Sequence, residues 1–234
     1  FYGVKTGLNE AFVVDRPTRD RLIAEHPSSA TVLKPFLRGR DVTRWQTNHR
    51  DMWLIFTRHG TTIEDFPAIQ RHLDQFKTKL APGGTGGRKP GSYQWFEIQD
   101  NVAYWEEFGQ PKIIWRAVAE EARGFGYDQS GMLSTDTTYI LPTSNMFLLA
   151  LLNSSLNGYL LGQLCDRVQA GYLRVKSIYL GQIPVVHPDL KMASTIQSIV
   201  NRILAAKAEN PAADVRALEA EIDQRVYALY GLTA

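Results

Sequence analysis

From Leu190 to Tyr230, apolar residues recur every three or four positions on both sides of an Asn210–Pro211 break, and that pattern commits the end of the chain to two packed helices. Ile196, Ile199, Val200, Ile203 and Leu204 share one face of the first, read as Leu190–Ala208. Val215, Leu218, Ile222, Val226 and Leu229 share one face of the second, read as Ala212–Tyr230, with Gly231 placed to cap it. Proline cannot continue a helix, so the pair folds back as an antiparallel hairpin. Whatever precedes the hairpin must supply an apolar surface for it to cover.

The preceding part mixes short strands with helices. Ala11–Val14 reads as a strand, and Asp15 then caps a helix whose first turn holds Pro17. Ser28 and Ser29 are placed to cap a second short helix running through Val32 and Leu33. Further strands are expected at Trp53–Phe56, Trp95–Ile98, Lys112–Trp115, Gly124–Tyr127 and Thr137–Leu141, with helices over Asp65–Leu80 and Met146–Leu164. Between Ala81 and Ser92 the chain reads APGGTGGRKPGS, too rich in glycine and proline for helix or sheet, and is expected to be a loop of some reach. Strands first and helices last make the class α+β.

Charge and chemistry narrow the function. The net charge is only +2, but five basic residues (Lys34, Arg38, Arg40, Arg44, Arg50) face a single acid, Asp41, between positions 34 and 50. A local excess of that kind suits phosphate contact, although a solvated surface gives the same composition. There is no dinucleotide fingerprint, Walker loop or nucleophile elbow, and no His or Cys spacing suited to zinc. No catalytic residue and no metal ligand is expected. Asp189 and Lys191 come nearest to a nuclease motif but lack an acidic partner. The lone Cys165 excludes a disulfide framework and points to a reducing, cytoplasmic setting. The most apolar run, Met146–Leu164, is broken by polar residues and glycines, so no membrane span is expected. The start at Phe1, without methionine, suggests a domain edge.

Eight segments in order carry a resemblance: GVKTGLNEAFVVD, LKPFLRGRDVTRW, FPAIQRHLDQFKTKL, RKPGSYQWFEIQD, PKIIW, LLALLNSSLNGYLL, YLRVKSIYLGQIPV and LEAEIDQRVYALYGLT. Together they resemble the TaqI-like C-terminal specificity domain of adenine DNA methyltransferases and type IIG restriction–modification enzymes, which is related to the target-recognition domains of type I specificity subunits. The resemblance implies a twisted, β-helix-like body of mixed strands with the C-terminal α-hairpin packed on it. On that view residues 1–188 are the DNA target-recognition domain and residues 189–234 the hairpin. It also implies double-stranded DNA as partner and an upstream methylase domain of the same chain that binds S-adenosylmethionine, with no cofactor held here. The alternative is a protein-interaction module that docks a methylase subunit through the C-terminal helices, as type I specificity subunits do.

Side-chain chemistry then nominates contacts. Arg88, Lys89, Ser92 and Tyr93 lie on the glycine-rich loop, where they are expected either to enter a groove and read bases or to meet phosphate only. Arg38, Arg40, Thr43 and Arg44 form the densest basic turn and suit phosphate positioning; Lys5, Arg174 and Lys176 are further phosphate candidates. Trp95 and Phe96 are expected to stack on an extruded base or to pack in the core.

Overall fold

The computed structural model of the protein describes residues 1–84 and 87–232. Thr85 and Gly86, within the glycine-rich loop, lie outside the described residues. The class is α+β, with several small sheets followed by helices that end in a hairpin.

The first sheet runs in the order Val13–Asp15, Met52–Ile55, Leu33–Leu37, Leu133–Ser134. The first three strands are antiparallel, with Val13 opposite Leu54 and Leu33 opposite Ile55; the last is parallel, with Phe36 opposite Leu133. Pro35 has no N–H to give to a ladder, and it sits where the strand passes from one neighbour to the other. Asp15 accepts from Thr18 N at 3.0 Å and starts the Arg16–Glu25 helix with Pro17 in its first turn.

The second sheet, in the order Thr138–Pro142, Lys112–Arg116, Gly126–Asp128, is antiparallel throughout. Its middle strand divides two cores. Ile114 joins Phe12, Leu22, Phe36, Leu54, Ile69 and Phe108 on one side, while Ile113 and Trp115 join Trp45, Phe125, Leu149, Leu161, Ile199 and Val226 on the other. Successive strand side chains point to opposite faces, so a strand buried on both must be apolar without alternation, as Ile113-Ile114-Trp115 is.

A short hairpin, Val42–Thr43 with Gln46–Thr47, lies across this sheet. It approaches so closely that a Cβ on Gly126 would stand 2.7 Å from the carbonyl oxygen of Gln46. At its tip Trp45 is fully buried with φ at 72°, a conformation that an L-residue tolerates only when its surroundings fix it. Its N–H donates to Phe125 O at 2.8 Å and its indole Nε1–H to Glu219 at 2.6 Å. A third small sheet joins Asp166–Arg167, Leu173–Arg174 and Val118–Ala119.

The helix expected over Met146–Leu164 is two helices, Met146–Asn153 and Ser155–Leu164. Between them Ser154 is extended (ψ 158°) and accepts from Asn157 N at 3.2 Å, while the Asn153 amide brackets the backbone of Phe125 at 2.9 and 3.2 Å. The helix expected over Asp65–Leu80 is likewise interrupted, into Pro67–Asp74 and Lys77–Leu80. Leu190–Glu209 and Arg216–Leu229 form the C-terminal hairpin, and their buried stripes belong to the second core. Asp189 accepts from Met192 N at 2.7 Å, so the one acid beside Lys191 serves as a helix cap. Among the described residues no helix is long and apolar enough to cross a membrane.

Candidate nucleic-acid interface

The glycine-rich loop is built around Arg88. Its Nε–H donates to Leu80 O at 2.9 Å, Nη1 to Thr6 O and Glu97 O at 2.9 and 2.6 Å, and Nη2 to Gln94 O and Trp95 O at 3.1 and 2.9 Å. The side chain is only 4% exposed, and burial pulls its guanidinium below the ordinary value against the smaller opposing influence of Tyr93 and Glu97. The expectation that Arg88 is free to enter a groove is therefore corrected: its donors are spent on backbone carbonyls. Tyr93 is also buried, with its hydroxyl donating to Lys89 O. The strand expected at Trp95–Ile98 is a series of turns instead, held by the Glu97 carboxylate, which accepts from Gly60 N at 2.6 Å and Gln94 N at 2.7 Å. Trp95 and Phe96 pack against the first core. Lys89 and Ser92 remain exposed on the loop.

The basic turn is divided in the same way. Asp41 is fully buried and accepts from Arg38 N at 2.8 Å and from the Arg38 guanidinium at 2.9 and 3.2 Å. Arg38 thus shapes the Gly39–Asp41 turn, which leaves Arg40 exposed at its apex. Thr43 is half-buried, with its hydroxyl donating to Gln46 O at 3.4 Å. Arg44 donates to Asn153 O at 2.7 Å and pairs with Glu219 at 2.8 Å; burial lowers its guanidinium despite Glu219. It ties the hairpin to the C-terminal helix, so its nomination as a phosphate contact together with that of Arg38 is corrected: both are committed internally.

The remaining cations nominated as phosphate contacts are brought together by backbone pairing. The turn at Asp136–Thr137 is the hub. Val4 bridges Thr135, which sets Lys5 beside Asp136, and Asp136 N donates to Val4 O at 3.0 Å. A Cβ on Gly39 would lie 3.0 Å from the Thr137 hydroxyl and 3.9 Å from Arg116, which places the Arg40 turn against both. Arg116 pairs with Thr138, Ala117 N donates to Thr137 O at 2.8 Å, and Val175 N donates to Ala117 O at 2.9 Å. Arg174 stands opposite Val118 and is exposed; Lys176 follows, half-buried. Lys5, Arg40, Arg116, Arg174 and Lys176 thus lie on adjoining segments, and among the described residues none of them forms an ion pair. Arg116 and the Asp136–Thr137 turn escaped the sequence reading. The signal was a lone arginine ending an apolar strand, and a polar STDTT run between two strands.

Among the described residues no group of acids, histidines and cysteine could hold a metal ion. Cys165 is buried and unpaired, and burial, reinforced by Asp166, pushes its thiol up to about 11 from 9.0. At pH 8 its alkylation by iodoacetamide should run about a hundredfold slower than in the denatured chain, rising about tenfold per pH unit toward pH 10. Mass spectrometry over a time course measures both.

The cations that form no ion pair among the described residues thus lie on turns and strand ends of an α+β body. The family model of the TaqI-like C-terminal specificity domain matches residues 34–185, and the chain belongs to that family. Among solved structures it is similar to the type IIL restriction–modification enzyme MmeI, determined in complex with DNA, at 17% identity and a TM-score of 0.75, over 100% of this chain and 32% of that one. It is also similar to the type IIG restriction endonuclease BpuSI, at 11% identity and a TM-score of 0.48, over 94% and 28%. The chain therefore spans about a third of the length of these relatives, and the likeness to MmeI is one of fold. No curated protein matches it.

Proposed function

We propose that this chain recognises the target sequence in duplex DNA for a restriction–modification enzyme whose methylase transfers a methyl group from S-adenosylmethionine to adenine. The methylase and its cofactor belong to another domain of the same polypeptide, and this chain contributes no group to the transfer. The observation that carries the reading is the row of cations, unpaired among the described residues, on adjoining segments of a chain in the TaqI-like specificity family. Cations spaced along a surface meet successive phosphates and release counterions, which supplies affinity without sequence information. Docking of a methylase subunit through the C-terminal helices has weaker support, because the apolar stripes of both helices are spent on the second core.

Binding to a duplex should fall steeply with salt. Arg40→Ala and Arg174→Ala should each weaken all sequences alike and flatten the slope of log affinity against log salt by about one. Fluorescence anisotropy across a salt series measures this, and failure of the wild type to bind duplex at low salt would overturn the DNA reading. The adenine reading is tested by mapping modified bases in cells that express the full-length gene. N6-methyladenine within one recurrent sequence is expected; cytosine methylation in its place rejects it.

A further inference from the structure

We propose that Asp136 is a base-reading group in the cationic row, accepting a hydrogen bond from an exocyclic amine of the target, with cytosine N4 the first expectation. The proposal rests on the DNA-recognition reading above. Asp136 and Thr137 occupy the tip of a tight turn closed by Thr138 N donating to Thr135 O at 3.0 Å, and both are exposed.

Backbone hydrogen bonds tie the turn to three neighbouring segments. Asp136 N donates to Val4 O at 3.0 Å, Thr135 N to Leu37 O at 3.0 Å, and Ala117 N to Thr137 O at 2.8 Å. The Thr135 hydroxyl donates to one carboxylate oxygen of Asp136 at 3.0 Å, fixing the side chain and leaving the other oxygen free for a second donor. A reading group needs such support, because a hydrogen bond discriminates only when its acceptor cannot swing away.

Charge makes the placement informative. Several exposed acids take a nearby cation: Asp51 pairs with Arg16 at 2.5 Å, Glu10 with Lys79 at 2.6 Å, and Asp214 with Arg216 at 2.6 Å. Asp136 lies among Lys5, Arg40 and Arg116, yet among the described residues it pairs with none of them. A carboxylate repels phosphate, so at the centre of a phosphate-binding row it must meet a donor. The donors a duplex presents there are exocyclic amines: cytosine N4 and adenine N6 in the major groove, guanine N2 in the minor groove.

The test selects bound molecules from a pool of short duplexes with a randomised core, using the wild-type chain, Asp136→Ala and Asp136→Asn, and sequences them. Thermal melts confirm that the variants fold. With Asp136→Ala, preference at one position should drop by about tenfold or more while affinity for the pool as a whole rises, since a negative charge has left the row. The base lost identifies the amine. With Asp136→Asn, that position should shift toward adenine, whose N6 and N7 suit an amide. Profiles unchanged in both variants would overturn the proposal and leave the DNA reading standing; a wild type that retains no duplex removes both.

Discussion

Replacing Arg88 with alanine is expected to destabilise the protein by about 4 kcal/mol or more. The guanidinium makes five hydrogen bonds to the carbonyls of Leu80, Thr6, Glu97, Gln94 and Trp95. Bonds from a charged donor contribute about 1.5–3 kcal/mol each, but some of these carbonyls can turn to water once the side chain is gone, so the loss is well below the sum. Lysine is not a substitute, because its single ammonium cannot reach carbonyls arranged around a planar fork. Arg88→Lys should therefore recover less than half of the loss. Urea denaturation followed by circular dichroism measures both variants, and a wild-type midpoint for Arg88→Ala would show that the loop does not depend on this residue.

The second large effect is an asymmetry within one buried ion pair. Lys112 and Asp128 are both fully buried and in direct contact, with the Lys112 ammonium also donating to Phe108 O at 2.6 Å. Burial lowers the Lys112 ammonium even with Asp128 beside it. Asp128 has further partners: it accepts from Ser130 N at 2.8 Å and Met132 N at 3.1 Å. Lys112→Met leaves a carboxylate that still holds two N–H groups, whereas Asp128→Ala strands an ammonium and two amides together. Breaking such a pair costs about 3–5 kcal/mol, and Asp128→Ala should fall at the upper end with Lys112→Met below it by about 1–2 kcal/mol. The same denaturation series ranks them, and the reverse order would mean that the turn at 128–132 does not rely on the carboxylate.

Elements whose stability is local were legible in the sequence. The capped helix after Asp15, the paired C-terminal helices and the apolar Lys112–Trp115 strand all occur, because cap, stripe and unbroken apolar run act over a few residues. What failed depended on distant partners. Ser154 breaks an otherwise continuous helical pattern because the Asn153 side chain is drawn to Phe125, which no local period records. The glycine-rich loop suggested freedom for Arg88, but five carbonyls from three stretches of chain converge on it. Of the nominated cations, Arg40 and Arg174 are exposed, while Arg38 and Arg44 are engaged by Asp41 and Glu219. Density of charge along the sequence cannot separate the two kinds, since the acid that claims Arg44 lies in the last helix.

Because the strand from Lys112 to Arg116 forms a wall of both cores, neither can melt without stripping one of its faces. Heating should therefore give one cooperative transition, with tryptophan fluorescence and helical ellipticity lost together. The same strand ends in Arg116 at the cationic row, so a core substitution on either side that slides it by a fraction of an ångström also re-aims that arginine. Changes of sequence preference can then arise at positions that never approach DNA.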